Sequence, residues 1–423
     1  MTRRNITAEI ITVGNELLEG RIQDTNAQRL TEKLAGAGVR AVRRTTVGDD
    51  AGDVADALRR SSAGIVLVTG GLGPTVDDRT MEAASAALGV PLVRNEESED
   101  RIRRFFRELK LDFHEDALKQ AMAPEGAVVL PNAVGTAPGS IVKKDGRFFV
   151  FMPGVPAEME SMMDAALGHV LAGRGAGETV LRASLKTFGT GETQLQRMMP
   201  SRLLESKNPE TAFLPARYEV EIRFTAYGKT EAEAREVLDG ALGEARGALG
   251  DYVYGEDDDT LESVAVGLLK KKGLTLGCAE SCSGGWLSSR LVSIPGASEV
   301  FKGSIVAYTT RIKEKLLRVP PRELARHGTV SEGMAQAMAL QALERLDTDV
   351  GVSITGNAGP TAGDPWEEVG QVFAAVAVRG KKGKPSAAGR KLNRPRNDVR
   401  YISTSIALDL LRREILSLPV TVY

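Results

Sequence analysis

The chain has 423 residues, 42% hydrophobic and 26% charged, with a formal net charge of -1. This length and mix predict two or three globular domains, and the balanced charge gives no bulk attraction to DNA or anionic lipid. No stretch approaches the ~20 apolar residues of a membrane span, and the first residues lack the apolar core of a signal peptide. Two cysteines, Cys278 and Cys282, and three histidines exclude a disulfide framework and a four-ligand zinc site. The reading is a cytoplasmic protein with reduced thiols.

The first ~165 residues alternate strand-like and helix-like segments, the pattern of a parallel sheet wrapped by helices. Ala8 to Val13 is an apolar, β-rich run. Asp24 to Gly36 predicts a helix with Ala27, Leu30 and Leu34 on one face, Asp24 or Thr25 as cap, and Gly36 as stop. Gly64 to Thr69 predicts a buried strand, Thr80 to Leu88 a helix, and Arg147 to Met152 another strand ahead of Pro153-Gly154. A glycine-rich linker is expected at 171–177. Beyond it, Tyr218, Val220, Ile222 and Phe224 alternate with Glu219, Glu221 and Arg223, which predicts a half-solvated strand. Helices from Glu192 and Thr230 flank it, and the acidic run Glu256 to Asp259 marks a second boundary. After that the α/β alternation returns. Leu261, Val264 and Leu268 predict one helix face, and Gly303 to Tyr308, Asp349 to Thr355 and Val369 to Val378 predict strands. The expected fold is therefore α/β: two three-layer α/β domains, residues 1–170 and 258–423, joined by a small α+β module over residues 176–253.

Residues with chemistry gather at the predicted strand ends. Ala279-Glu280-Ser281-Cys282-Ser283-Gly284-Gly285 lies between a short strand and a helix from Trp286. Helix-start N–H groups lack intrahelical partners and favour an anion, either a phosphate or a developing oxyanion. A serine there serves as an N-cap or as a nucleophile. A nucleophilic serine needs a base, and with so few histidines a lysine of depressed pKa is the natural substitute. Lys313 lies five residues after Tyr308, which ends a predicted strand. Gly356-Asn357-Ala358-Gly359-Pro360 is another glycine-rich strand end, and Arg394-Pro-Arg396 with Arg400 forms a basic run suited to a phosphate.

In the first domain, Val13-Gly14-Asn15-Glu16 opens the turn after the first strand. Thr69-Gly70-Gly71-Leu72-Gly73-Pro74-Thr75-Val76-Asp77-Asp78 follows a buried strand and precedes a helix. Glycines admit backbone amides close to an anion, and carboxylates beside phosphates normally hold a divalent ion. Asp77 and Asp78 have a second reading, as N-caps of the helix from Thr80.

Together these segments resemble the CinA (competence/damage-inducible protein) family. The last domain does so through Ala279 to Gly285, Tyr308 with Lys313, His327-Gly-Thr-Val-Ser-Glu332 and Gly356 to Pro360. The first domain does so through Gly14 to Leu18, Asp24-Thr-Asn26, Val47-Gly-Asp49, Thr69 to Asp78, Gly135 to Gly139 and Met152-Pro153-Gly154-Val-Pro156. The resemblance implies a C-terminal nicotinamide mononucleotide amidohydrolase with nucleophile Ser281, base lysine Lys313 and assisting Tyr308. It requires no cofactor, and its substrate contacts are at Ser283, Gly284, Gly285, Gly356, Asn357, Ala358, Gly359, Arg396 and Arg400. The first domain is similar to molybdopterin-binding domains, and in this family it is associated with ADP-ribose pyrophosphatase activity. The implied contacts are Gly14, Asn15, Glu16, Asn26, Gly70, Gly71, Gly73, Thr75, Pro153 and Gly154. The implied divalent ion (Mg, Mn or Co, with potassium as a further candidate) sits at Asp49 and Asp78. The resemblance also implies a homodimer. The middle module matches the family's KH-like insert but lacks a Gly-x-x-Gly loop flanked by basic residues, so no nucleic-acid partner is expected. The competing reading is a nucleotide- or pterin-binding regulatory protein with an inactive first domain. The chain departs from the family pattern at Ser283, where Thr is common, at Asn357, where an apolar residue is usual, and at Arg394-Pro-Arg396, where Gly-Asp-Arg is usual.

Overall fold

The computed structural model describes residues 6–172, 179–361 and 368–421. It divides into two compact units, residues 1–181 with 227–235, and residues 182–226 with 236–423. Most of the expected linker at 171–177 lies outside the described residues, past the end of helix Pro156–Leu171. Among the described residues no helix is long and apolar enough to cross a membrane.

The first unit is built on strands β1 (Thr7–Val13), β2 (Arg40–Val47), β3 (Ile65–Thr69), β4 (Leu92–Arg94), β5 (Met122–Pro124), β6 (Val128–Leu130), β7 (Gly139–Lys144) and β8 (Arg147–Met152). Six of these form one sheet in the order β2-β1-β3-β8-β7-β6, while β4 and β5 pair separately. Alternation along the strands feeds two apolar layers. Ile65 and Leu67 face helices Thr25–Gly36 and Pro156–Leu171, whereas Val66 and Val68 face helices Ala51–Arg60 and Thr80–Leu88. Asp24 is the cap of the first of these helices, accepting from the Ala27 amide at 2.9 Å. The all-parallel sheet expected from the sequence is corrected to a mixed one. β2, β1, β3 and β8 run parallel, but β7 pairs antiparallel with both β8 and β6. The cause is the two-residue turn Asp145-Gly146, whose φ values of 50° and 76° are those of a tight hairpin.

The small α+β module carries a sheet of β9 (Thr179–Phe188), β10 (Glu210–Ala216), β11 (Glu219–Gly228) and β12 (Val253–Glu256) in the order β10-β11-β9-β12. The predicted half-solvated strand is β11, with Val220, Ile222 and Phe224 buried. Tyr218 falls just outside it, in the turn, at φ 73°.

The last domain has β13 (Leu276–Glu280), β14 (Phe301–Val306), β15 (Val350–Gly356), β16 (Gln371–Val378) and β17 (Ser386–Lys391), in the order β14-β13-β15-β16-β17. β14, β13 and β15 are parallel, and β16 and β17 are antiparallel additions. Helices Leu261–Lys272, Trp286–Val292 and Arg396–Leu416 cover one face, packing on Cys278, Val352 and Ile354. Helix Glu332–Arg345 covers the other against Ala279, Ala375 and Ala377. On helix Leu261–Lys272 the buried face is Leu261, Ala265, Val266 and Leu269, one position round from the expected Val264 and Leu268, which are half-buried.

Module and last domain are tied by a buried charge knot. Asp409, with no exposed surface, accepts from Arg412 and Arg413 at 2.7 Å each. The same arginines donate to the Asp251 carbonyl at 2.8 and 2.9 Å. Removing one partner of a buried pair leaves the other uncompensated. Asp409→Ala is expected to destabilise this unit by about 3–5 kcal/mol. Urea unfolding followed by tryptophan fluorescence checks this, and an unchanged midpoint would refute it.

Candidate active site

In the last domain the parallel strands β14, β13 and β15 all end at one edge, where ligands of open α/β sheets bind. β13 ends in the turn carrying Ser281, whose amide donates to the Ile354 carbonyl of β15 at 3.0 Å. β14 leads through Ala307 and Tyr308 into helix Thr310–Lys315, capped by Thr309, which places Lys313 one turn in. The structure brings Ser281 and Lys313 together. Lys313 Nζ lies 3.0 Å from Ser281 Oγ and donates to the Ala307 carbonyl at 2.9 Å. Both residues are buried, Lys313 to 2% exposure. Withdrawal from water disfavours an ammonium relative to the amine.

The turn itself is organised by a residue that the sequence reading passed over. Glu280 is fully buried, and its carboxylate accepts from the amides of Gly285 (3.0 Å), Leu287 (3.1 Å) and Ser288 (3.0 Å) and from the hydroxyls of Ser283 (2.8 Å) and Ser288 (2.5 Å). The helix-start amides expected to wait for a phosphate or an oxyanion are thus already satisfied by an internal anion. Three of the expected substrate-contact residues are therefore engaged within the turn itself. Ser283 is buried with its hydroxyl spent on Glu280, the Gly285 amide is spent likewise, and the Gly284 amide donates to the Ser281 carbonyl at 3.1 Å. These residues shape the turn, and Gly284 and Gly285 serve it by adopting φ 61° and 96°. The legible signal was an acid placed just before the serine and five residues ahead of the helix, where the dipole stabilises a carboxylate.

Cys282, beside the nucleophile candidate, is not a rival. Burial pushes its thiol up to about 11, so near neutral pH it is protonated and unreactive. Cys278 is likewise raised by burial in the core.

Around the pair, Tyr308 is 55% exposed, and its hydroxyl accepts from Arg396 at 3.0 Å. Its described partner is thus Arg396 rather than Ser281 or Lys313. Arg396 also donates to the Gly359 carbonyl, linking the Gly356 to Pro360 loop to Tyr308. In that loop Asn357 Oδ1 accepts from the Gly359 amide at 2.9 Å, Ala358 is buried, and a Cβ on Gly356 would lie 2.7 Å from the Gln371 carbonyl. Arg400 turns back on the protein, donating to the carbonyls of Cys282 (3.2 Å) and Ser283 (3.1 Å), so it clamps the nucleophile turn.

In the first unit the candidate residues also lie at the carboxyl ends of the parallel strands. The Asn15 amide donates to Asp49 at 3.1 Å, and the Asp49 amide donates to Asn15 Oδ1 at 3.4 Å, linking the ends of β1 and β2. Gly14 donates to the Val47 carbonyl, and a Cβ there would strike the exposed Glu16 carboxylate. Asn26 Nδ2 donates to the Gly154 carbonyl (2.7 Å) and to Thr69 Oγ1 (3.1 Å), and Thr69 donates to the Pro153 carbonyl. Asn26 Oδ1 is buried without a partner, an acceptor that a ligand donor would satisfy. A Cβ on Gly70 would lie 2.2 Å from the Val13 carbonyl, one on Gly71 would meet Thr80 Oγ1, and one on Gly73 would lie 2.4 Å from Asp78 Oδ2.

The capping reading of Asp77 and Asp78 is overturned. The N-cap of helix Thr80–Leu88 is Arg79, with no side-chain cap. Instead Asp78 accepts from the Thr75 amide (2.9 Å) and hydroxyl (2.5 Å), and Asp77 accepts from the same hydroxyl, a bond that holds its carboxyl below the usual range. Thr75 is thus committed to folding the loop. Among the described residues no three His, Cys, Asp or Glu side chains are grouped to hold a metal ion. Asp49 and Asp78 therefore do not belong to a protein-only cage.

Fold and site together define a multidomain α/β protein with a buried serine–lysine pair on one sheet edge and a glycine-rich loop on another. Residues 9–172 match the family described as "Probable molybdopterin binding domain", 182–255 the "Damage-inducible protein CinA KH domain", and 258–415 the "CinA C-terminal domain". A CinA-like protein from Dictyoglomus turgidum is 40% identical over 412 residues, covering 97% of this chain and 99% of that protein. One from Geotalea uraniireducens is 38% identical over 411 residues, covering 96% and 97%. A crystal structure of CinA from Thermoplasma acidophilum, described as of unknown function, is 34% identical over 39% of this chain and 98% of its own, with TM-score 0.36. The chain belongs to the CinA family.

Losing the Glu280 carboxylate would strand several buried donors at once, each at about 1–3 kcal/mol. Glu280→Ala is therefore expected to lower stability by ~3 kcal/mol or more, with Glu280→Gln losing less. Chemical denaturation of both variants is the check, and equal stability to wild type would show that the turn holds without this anion.

Proposed function

We propose that the last domain hydrolyses the carboxamide of nicotinamide mononucleotide, giving nicotinate mononucleotide and ammonia. The observation that carries this reading is the Ser281–Lys313 contact with the Ala307 carbonyl behind it. A neutral amine that spends one N–H on Ala307 can turn its lone pair to the serine hydroxyl. Lys313 takes the Ser281 proton as Oγ bonds to the carboxamide carbon. The tetrahedral adduct collapses, the C–N bond breaks, and the lysine ammonium hands its proton to the departing nitrogen. Water then cleaves the resulting ester by the same route, regenerating Ser281. Arg396, exposed at the mouth beside Tyr308, suits the substrate phosphate, with Tyr308 as a hydroxyl donor to the bound ligand.

The accompanying proposal for the first domain is binding of a phosphate-bearing nucleotide at the Gly70–Asp78 loop and hydrolysis of ADP-ribose to AMP and ribose 5-phosphate. The unpartnered Asn26 Oδ1 and the glycines packed against Val13 and Asp78 support a ligand there. A divalent ion held by one or two carboxylates would take its remaining ligands from water and substrate phosphate.

Ser281→Ala is expected to abolish ammonia release. Lys313→Arg, which puts a permanently charged guanidinium with no usable lone pair in place of the amine, should lower it at least about a hundredfold in a folded protein. Wild-type rates in either variant would exclude the assignment. For the first domain, Asp78→Ala and added chelator are each expected to stop AMP formation from ADP-ribose while ammonia release continues. AMP formation that survives chelator would remove the ion from the proposal. Absence of AMP under every condition would favour a regulatory nucleotide- or pterin-binding domain.

A further inference from the structure

A second cleft of about 620 Å³ opens in the unit that holds the small module and the last domain. Its walls include the β10–β11 hairpin tip, the end of β17 and the start of helix Arg396–Leu416. Three guanidiniums face it, each stacked on a tyrosine. Arg390 and Arg394 lie 5.1 and 5.3 Å from the Tyr218 ring centre, and Arg217 lies 4.9 Å from that of Tyr401. Stacking occupies one face of each group and leaves its outer face and N–H edges, apart from the bond of Arg394 Nε to the Tyr218 hydroxyl at 3.2 Å. Among the described residues none of the three arginines has a carboxylate within ion-pair distance. Of the acids along the cleft, Glu219 accepts from the Tyr254 hydroxyl at 2.8 Å, Glu192 accepts from Gln196 at 3.0 Å, and Asp398 lies near enough to Arg394 to feel its charge.

Two positive charges gathered on one ring repel each other, and an anion between their free edges relieves that repulsion. Exposed N–H forks match phosphate oxygens bidentately. The outer faces of the stacked guanidiniums offer flat surfaces to a base, and carboxylates at the rim accept from ribose hydroxyls. The volume is that of a small-molecule site. The hairpin tip also pays in backbone strain to present these groups: Arg217 and Tyr218 sit at φ 43° and 73°, a region sparsely used by bulky residues.

We infer that this cleft is a binding site for a mononucleotide, with phosphate on the edges of Arg390 and Arg394 and the base against the outer faces of the guanidiniums stacked on the tyrosines. The site has a route to the nucleophile turn. Tyr401 meets Trp286 edge to face at 5.6 Å, Arg400 stacks on Trp286 at 5.2 Å, and Arg400 holds the Cys282 and Ser283 carbonyls. The inference stands on these contacts and not on the amidase reading.

The test is photolabelling of the full chain with 8-azido-AMP and mapping of the modified peptides. Label is expected on the peptides carrying Tyr218 or Tyr401, retained in Ser281→Ala, and suppressed by excess AMP more than by inorganic phosphate. The double variant Arg390→Gln/Arg394→Gln should lower it at least tenfold. Arg217→Gln, on a different element, should lower it independently, which separates lost binding from a folding defect in the double variant. Label confined to the peptides around Ser281 or Gly70, or undiminished in both variants, would overturn the site. Stronger protection by a single-stranded oligonucleotide than by AMP at equal nucleotide concentration would overturn the mononucleotide assignment and give the cleft to a nucleic-acid strand.

Discussion

Glu280 has its carboxylate sealed from water at the end of a central strand, with the first amides of the next helix pointing into it. A buried charge persists only when its lone pairs are satisfied, so the amides and serine hydroxyls around it must stay where they are. The path of the chain from β13 into the helix is therefore fixed by electrostatics more than by side-chain packing. Ser281, the next residue, inherits that rigidity. Its amide is tied to β15 while Arg400 grips the two following carbonyls. The serine hydroxyl meets Lys313 Nζ at 3.0 Å.

The same constraint separates two tasks that a helix start often combines. Where a phosphate-binding loop leaves its amides open to the ligand, this turn closes them with its own acid. The exposed cationic group stands instead at the rim, with Arg396 bridging Tyr308 and the Gly359 carbonyl. In the first unit the division runs the other way. Gly70 brings backbone against the end of β1, Gly71 and Gly73 leave room for Thr80 and Asp78, and Asp78 is drawn into the loop by Thr75 instead of standing free.

Much of this was legible in sequence because it is local. Helix Thr80–Leu88 and strand Arg147–Met152 fall where composition places them, and Asp24 caps its helix as its position implies. Ser281 and Lys313 were readable as a pair only through motif resemblance, since their 32-residue separation is closed by sheet topology. What was missed is non-local or context-dependent. The Asp145-Gly146 turn carried a hairpin signal, but the run of strands and helices around it favoured a parallel sheet. Glu280 reads as one more acid until burial shows that it is the helix's counter-ion. Asp77 and Asp78 stand where caps stand, yet the loop's own Thr75 competes for them and wins. β17 (Ser386–Lys391), short and rich in small residues, gives little apolar signal at all.

The knot of Asp409 with Arg412 and Arg413 bears on how such a chain can be assembled from parts. Besides Asp409 and the Pro419 carbonyl, the arginines donate to carbonyls of Asp251 and Val253, which lie in the small module and not in the last domain. A gene encoding the last domain alone would remove the Asp251 and Val253 acceptors and open these guanidiniums to water, which would have to take their place. Cutting the coding sequence between the two parts therefore alters the surroundings of Asp409, Arg412 and Arg413 as well as the chain's length.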